Sequence, residues 1–405
     1  MAHRSLPGWP AFTEEEVEAA ARVLASNRVN YWTGEEGRAF EAEFAAWVGT
    51  RHAIALANGT VALELALRAL GVGPGDEVVV TPRSFVASAS CVLSVGATPV
   101  FADVDPDSGN LTAETVDAVR TPRTRAIVAV HLGGWPCDLA PLRALADRHG
   151  LWLLEDCAQA HGARYRGRSV GALGHVAAWS FCQDKIMTTA GEGGMVTTDD
   201  PALFERIWSL KDHGKGWAAV HRNDHPPGFR WLHEELGTNA RMTELQAAIG
   251  RIQLLRMPAW HAARAANAAV LTEVLAPVAG EEGPLRIPSF RCGGCPGCAP
   301  ETGCAHAWYR FYAYLLPERL GAGWSRDRIL EATDAAGAPC FSGSCPEIYR
   351  ERAFVDRGLA PETPLPTARQ LGETSLALLV HPTLSREDVR WVGERLRAVL
   401  ERARA

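Results

Sequence analysis

Between about Arg51 and Asp199, short β-branched runs alternate with amphipathic stretches. HAIALAN is followed by TVALELALRAL, then by DEVVVTP, SFVASASCVLSVGA and TPVFADVD. RAIVAVHLGG, LWLLEDCA, HVAAWSFC and GGMVTTD continue the series, with PLRALADRHG between them as a helix closed by a glycine cap. This alternation predicts βα units and an α/β fold built on a largely parallel sheet. DEVVVTP and LWLLEDCA are continuously apolar, which fits strands covered by helices on both faces. Ligands of such sheets bind at the carboxyl ends of the strands.

The flanks read differently. FTEEEVEAAARVLA predicts a helical lead-in with Thr13 as its N-cap. TELQAAIGRIQLLRM and PAWHAARAANAAVLTEVLA predict two successive helices, and from Gly280 to Cys304 the composition shifts to Gly, Pro and Cys. Beyond His306, the strands WYRFYAYLL and LALLV and the helices DRILEATDAA and REDVRWVGERLRAVLERAR predict a smaller α/β domain. The expected division is a large domain over 1–255 and a small domain over 256–405 that carries a Cys-rich loop at 292–304.

Hydrophobic residues make up 47% and charged residues 22% of the 405, the balance of an ordinary globular enzyme. The net charge of -6, from 41 basic and 47 acidic side chains, leaves no electrostatic footprint for nucleic acid or an anionic membrane. A phosphorylated ligand must then be held by local groups. The N-terminus lacks an apolar leader core, and no stretch reaches the roughly eighteen apolar residues of a membrane span. The expected location is the cytoplasm.

Three segments carry candidate chemistry. In AAWSFCQDKIMTTAGEGGMVTT, Lys185 follows a strand and precedes a Gly-rich turn. A neutral amine there can attack an aldehyde, provided burial or nearby positive charge lowers its pKa; a solvated surface lysine fits the same spacing. LWLLEDCAQAHGA puts Glu155 and Asp156 at the end of an apolar strand, where an acid can pair with a protonated pyridine nitrogen or simply cap a nearby helix. LANGTVALELALRAL places Gly59 and Thr60 at a helix N-terminus, which favours a phosphate but also serves ordinary capping.

Together these segments resemble the DegT/DnrJ/EryC1/StrS aminotransferases, sugar aminotransferases of pyridoxal 5'-phosphate (PLP) fold type I. The resemblance runs from NYWTGEEGRAFE to LALLVHPTLSREDV through NGTVALELAL, HLGGWPCDL, EDCAQAHGA, SFCQDK, GEGGM, GTNARMTELQAAIGRIQL and HAWYRFYAYL. It implies a large domain with a mostly parallel seven-stranded sheet. It also implies that Lys185 bonds PLP as a Schiff base and shuttles the substrate proton, that Asp156 pairs with the ring nitrogen, that Gln159 bonds the ring hydroxyl, and that Phe85 stacks on the ring. Gly59, Thr60 and Ser180 correspond to the phosphate site, with Asn239 reaching across from a partner, so a homodimer is implied. The implied donor is glutamate or glutamine, and the implied acceptor a nucleotide-linked keto sugar in glycan or antibiotic-sugar biosynthesis. An inosose or an aminohydroxybenzoate precursor is the alternative acceptor, and a non-catalytic PLP- or zinc-binding protein the alternative class. Candidates for an acceptor's diphosphate are Arg241, Lys215, Arg310 and Arg350. Some related proteins carry histidine in place of the lysine and act as dehydratases; here Lys185 is present.

Cys292, Cys295, Cys298 and Cys304 follow C-x2-C-x2-C-x5-C. Four thiolates in so short a loop suit tetrahedral zinc, with an iron-sulfur cluster or unligated cysteines as the other readings. The loop departs from the family pattern and is not needed for transamination.

Overall fold

A computed structural model of the chain describes residues 4–222, 228–280, 282–289 and 303–405. Its main sheet has seven strands: β1 (His52–Leu56), β2 (Glu77–Val80), β3 (Thr98–Phe101), β4 (Thr124–Val130), β5 (Trp152–Asp156), β6 (Val176–Ser180) and β7 (Gly194–Thr198). Their spatial order is β1-β7-β6-β5-β4-β2-β3. β6, β5, β4, β2 and β3 run parallel, while β7 is antiparallel to both its neighbours. β1 therefore points the same way as β6, and the carboxyl ends of β1, β2, β4, β5 and β6 share one edge of the sheet.

The apolar runs are continuous because both faces are covered. Val78, Val80, Val128, Val130 and Leu154 face Leu63 and Leu67 of the helix Gly59–Ala69. Val79, Ile127, Ala129 and Leu153 face the other way, onto Leu142 and Leu145 of the helix Leu139–His149. Each such side chain contributes about 1.5–3 kcal/mol when buried, so a polar residue on either face would cost stability. The helix Leu139–His149 ends as expected on Gly150, in the left-handed region at φ 63°.

The N-terminal helix Glu14–Ser26 starts after Thr13, whose backbone N–H donates to Glu16 Oε2 at 2.7 Å. Glu16 is also bound by Gln253 (2.9 Å) and Arg256 (2.8 Å), which ties the lead-in to the helix Glu244–Leu275. The two helices expected around Pro258 are in fact this single helix, with Pro258 inside it. Proline removes one backbone donor and crowds the preceding turn. Packing on both sides of it, against the helices Glu14–Ser26 and Glu36–Val48 and against Arg386–Ala403, holds the two halves in line.

A three-stranded antiparallel sheet, Leu285–Arg286, Phe311–Leu315 and Ser375–Leu378, builds the second layer system. Its core joins Phe311, Leu376 and Leu378 to Leu271, Ile329 and Leu396. Among the described residues no helix is long and apolar enough to cross a membrane.

Because Pro258 costs a helix interior about 3 kcal/mol relative to alanine, Pro258→Ala should raise the thermal unfolding midpoint without changing activity. Differential scanning fluorimetry of the two proteins tests this, and a lower midpoint would show that the ring's own packing outweighs the missing donor.

Candidate functional site

The site forms where the aligned strand ends release their loops. Asn58, two residues beyond the end of β1, caps the helix Gly59–Ala69 through its side-chain oxygen, which accepts the Val61 N–H at 2.9 Å. Gly59 is needed there for space, since a Cβ would fall 2.6 Å from Ser180 Cβ at the end of β6. The close approach brings the helix N-terminus and Ser180 to one end of a cavity of about 520 Å³, lined also by Thr60, Phe85, Ser88, Asp156, Gln159 and Lys185.

Successive residues of a strand face opposite sides, and this separates the two acids at the end of β5. Glu155 points away from the cavity and accepts the N–H groups of Gly171 and Leu173, each at 2.8 Å, and Nε2 of His131 at 3.1 Å. Burial would push its carboxyl up, but the bonds from His131 and from Gly171 and Gly174 outweigh it and hold the group below the usual range. His131 Nδ1 accepts the Cys137 N–H at 3.0 Å, which leaves Nε2 to donate to Glu155. Although His131, Glu155 and Cys157 lie close enough to share an ion, both His131 nitrogens and both Glu155 oxygens are already hydrogen-bonded, and His131 and Glu155 form a structural network.

Asp156 faces the cavity. Ser88 donates to Oδ2 at 2.7 Å and the Ala158 N–H to Oδ1 at 3.1 Å. Burial raises its pKa, and the bonds from Ser88 and Ala158, with the Lys185 charge, only partly offset that. Gln159 Oε1 accepts the Gly133 N–H at 2.7 Å, which fixes the amide orientation and leaves its NH₂ as the free donor. Phe85 lines the cavity yet leaves 63% of its surface exposed.

Lys185 sits in a loop tied by bonds from Lys185 N to Cys182 O (3.0 Å) and from Gln183 N to Gly191 O (2.9 Å), and by Trp9 Nε1 to Lys185 O (2.7 Å). Its Nζ lies 3.5 Å from Asp184 Oδ2 and 5.2 Å from the Tyr309 ring centroid. Burial alone would raise the Asp184 carboxyl, but the Lys185 charge and the Tyr309 hydroxyl bring it below the usual range. Behind the loop, buried His161 packs against Trp179 and Phe181. Its pKa falls to about 3 through burial and the Lys185 charge, so it is neutral.

A second chamber of about 350 Å³ opens from the first, sharing Ser84, Phe85, Gln159, Asp184 and Lys185 and adding Tyr309, Arg310, Tyr312, Gly343 and Ser344. Seven expected site residues thus meet: Gly59, Thr60, Phe85, Asp156, Gln159, Ser180 and Lys185. Asn239 does not join them in this chain; it is exposed and bridges to Asp212. Of the diphosphate candidates only Arg310 faces a chamber, since Arg241 (2.7 Å) and Lys215 (3.1 Å) pair with Asp212, and Arg350 with Glu347 (3.0 Å). Cys292, Cys295 and Cys298 lie outside the described residues. Cys304 is buried beside Leu139 and Tyr165.

Sequence reasoning missed Ser88, Trp9 and Asp184, and reached Tyr309 only as part of the family-like segment HAWYRFYAYL. Ser84 and Ser88, whose hydroxyls lie 2.9 Å apart, are four residues apart in a stretch read as merely amphipathic. That spacing is the one signal the sequence offered. Trp9 and Tyr309 are distant in the chain from Lys185, and nothing in their own segments announces the contact.

A lysine and a buried acid that converge on one cavity at the strand ends suit a cofactor enzyme of the PLP type, and comparison with known proteins identifies the family. Residues 10–397 match the DegT/DnrJ/EryC1/StrS aminotransferase family, and the chain belongs to it. It is a PLP-dependent aminotransferase. The chain is 40% identical over 388 residues to dTDP-3-amino-3,4,6-trideoxy-alpha-D-glucose transaminase of Streptomyces venezuelae, covering 96% of this chain and 93% of that protein. Among solved structures it is similar to an aminotransferase from Psychrobacter cryohalolentis, with a TM-score of 0.94 and 54% identity over 98% of this chain and 100% of that one. It is also similar to 3-amino-5-hydroxybenzoic acid synthase, with a TM-score of 0.84 and 30% identity over 98% and 99% of the two chains.

The raised Asp156 carboxyl sets a test. Below the usual aspartate range the group is protonated whether the chain is folded or not, so burial costs little. As pH rises through the elevated folded value, the unfolded chain ionises freely while the folded one resists, and stability is lost. Cofactor-free Asp156→Asn, whose Oδ1 can still accept the Ala158 N–H while its NH₂ donates to a turned Ser88 hydroxyl, should therefore melt higher than cofactor-free wild type at about pH 7.5, the gap closing near pH 4. Thermal melts across that range decide it; a gap that widens toward acid would reverse the assignment.

Proposed function

We propose that the protein moves an amino group from glutamate or glutamine onto a nucleotide-linked keto sugar, in the cytoplasm, for glycan or antibiotic-sugar biosynthesis. The observation that carries this reading is the convergence of Lys185 and Asp156 on a cavity whose far end is the Gly59, Thr60 and Ser180 cradle. The cavity's fit to PLP rests on its own chemistry: a buried acid facing inward, a donor amide, and a backbone cradle that a Cβ at Gly59 would fill.

When bound, PLP supplies a carbonyl that combines with amines and a cationic ring that draws electrons from the reacting carbon. The side chains do the rest. With PLP bound, Asp156 would stay ionised against the ring nitrogen, the cation offsetting the burial that otherwise raises its pKa. The Gln159 NH₂ would donate to the ring hydroxyl, Phe85 would cover the ring, and the N–H groups at Gly59 and Thr60 with the Ser180 hydroxyl would hold the phosphate. Lys185 Nζ takes the proton from the substrate carbon and returns it one atom away, general acid-base work worth on the order of 10² to 10⁴ in rate.

The relative at 40% identity bears a name that specifies a dTDP-linked sugar, whereas the benzoate synthase stands at 30%. That ordering supports a nucleotide-linked acceptor over an inosose or benzoate precursor.

A homodimer with shared sites is part of the same proposal. The inner chamber sets Glu64, Asp156, Asp184 and Glu192 against Lys185 alone, so a dianionic phosphate needs further donors from outside this chain. Exposed Asn239 sits beside a segment whose Phe229 and Trp231 are 79% and 85% exposed, a surface suited to reaching into a second copy. For the four cysteines the proposed ligand is structural zinc. Their spacing supports it, as does the Arg166 N–H that donates to Cys304 Sγ at 3.1 Å, a bond that stabilises a thiolate.

Borohydride reduction of the cofactor-loaded protein should leave PLP's mass on the peptide containing Lys185 and on no other. Lys185→Ala should abolish that adduct and lower turnover by about 10² or more; a normal rate in this variant would end the proposal. Mixing Lys185→Ala with Asn239→Ala subunits should restore some activity in hybrid dimers, and none is expected if each chain works alone. Elemental analysis after chelator-free purification should find one zinc per chain, and a ratio near zero would remove the metal from the reading.

A further inference from the structure

Taking a proton turns the Lys185 amine into an ammonium, and a cation that appears in a shielded site needs a counter-charge close by. Among the described residues the carboxylate that pairs with Nζ is Asp184, whose Oδ2 lies at 3.5 Å. The Lys185 side chain is 13% exposed and that of Asp184 50%, and both line the two chambers. Successive residues of a strand would face opposite ways. Here the bond from Lys185 N to Cys182 O closes a turn, and both side chains come round to the same cavity.

An adjacent Asp–Lys pair with one partner half exposed is by itself worth little. What distinguishes this one is Tyr309. Its hydroxyl donates to the same Oδ2, from 125 positions along the chain, and its ring is buried, with Nζ 5.2 Å from the centroid. Burial, opposed by the Arg310 charge, pushes the hydroxyl up, so it stays a donor. The Tyr309 backbone is fixed in turn to the loop beyond β4: its N–H donates to Gly133 O at 2.9 Å, beside the Gly133 N–H that orients Gln159. The carboxylate is therefore held from outside its own loop, at a place the amine can reach.

The other groups around the amine are bonded elsewhere, neutral or of the wrong sign. Asp156 accepts from Ser88 and Ala158 and is reserved, in the reading above, for the ring nitrogen. Cys182 and Glu192 lie against each other at 4.0 Å, the thiol pushed up by burial. His161, behind the loop, is neutral, and Arg310 brings a charge of the same sign as the ammonium.

We infer that Asp184 is the counter-ion of the reacting amine: it receives Lys185 Nζ each time the amine has left the cofactor and carries a proton, and Tyr309 is the residue that positions it. This rests on the aminotransferase reading above. In the step itself the substrate C–H bond breaks, its electron pair stays on the carbon, and the proton joins the Nζ lone pair, to leave it later for the atom next along. Asp184 takes no proton; it supplies the opposite charge while Nζ holds one.

Competitive labelling of the cofactor-free protein with trace acetic anhydride, scored by mass spectrometry of the Lys185 peptide against an added lysine derivative, reads the fraction of uncharged amine. At about pH 8, Asp184→Asn, which is isosteric and can still accept from Tyr309, should label roughly three- to tenfold faster than wild type. Asp184→Glu should return toward wild type, and Tyr309→Phe should fall between, since the carboxylate is then present but no longer held. In the cofactor-loaded protein, the half-reaction with L-glutamate is followed in single turnover by cofactor absorbance, with hydrogen or deuterium on the α-carbon. In Asp184→Asn the rise of rate with pH should begin at lower pH. The plateau should fall about tenfold with a larger isotope effect, while the half-saturating glutamate concentration stays near wild type. Unchanged labelling in Asp184→Asn overturns the assignment, and so does a pH profile and isotope effect equal to wild type. If wild type reacts with no amino acid and borohydride leaves Lys185 unmodified, the aminotransferase reading fails; the labelling still reports on the ion pair, so the two failures are told apart.

Discussion

An ionisable carboxyl at the buried end of a central strand is the constraint around which this molecule is arranged. Asp156 must remain inside the sheet edge yet face a cavity, and the fold supplies only two neutral donors, Ser88 and Ala158, to hold it there. Its next-door neighbour Glu155 is equally buried but carries enough donors to stay ionised. One acid is finished as structure; the other is left wanting a cation. That contrast, set by nothing more than strand alternation, separates scaffold from site.

Glu155 also organises its surroundings. By gathering the N–H groups of Gly171 and Leu173 and the His131 ring, it locks the loop after β5 to the end of β4. Gly133, just beyond β4, then donates to Gln159 and orients its amide. The rigid part of the site is thus built from the sheet outward, and Lys185 sits on the less buried loop above it, tied at its backbone by Trp9 and Cys182. An amine that must move between positions is better served by a fixed backbone and an unencumbered side chain than by a side chain locked in packing.

The two chambers divide labour by charge. The inner one is rich in carboxylates and suits a cationic ring. The outer one has a surplus of positive charge on the Tyr309 wall and suits small anions. Lys185 stands at their junction, lining both.

Much of this was legible in the residues. The alternation of runs from HAIALAN to GGMVTTD gave the strand series, continuous apolarity gave the doubly covered sheet, and the order of NGT, EDCAQAH and SFCQDK gave the seven site residues that meet in the cavity, because each sits within a few positions of a strand end. Pro258 misled: a local breaker implied two helices, and packing on either side kept one. Ser88 could not be read, since its importance comes from contacts made across the chain, and Arg310 stood only as one of four candidates for an acceptor's diphosphate. The amino-acid order by itself determined which strands form and which loops leave their carboxyl ends, as these follow from local periodicity and turn chemistry. Only the tertiary structure decided which acid of the Glu155–Asp156 pair faces the cavity, because burial and charge pairing depend on neighbours far away in sequence.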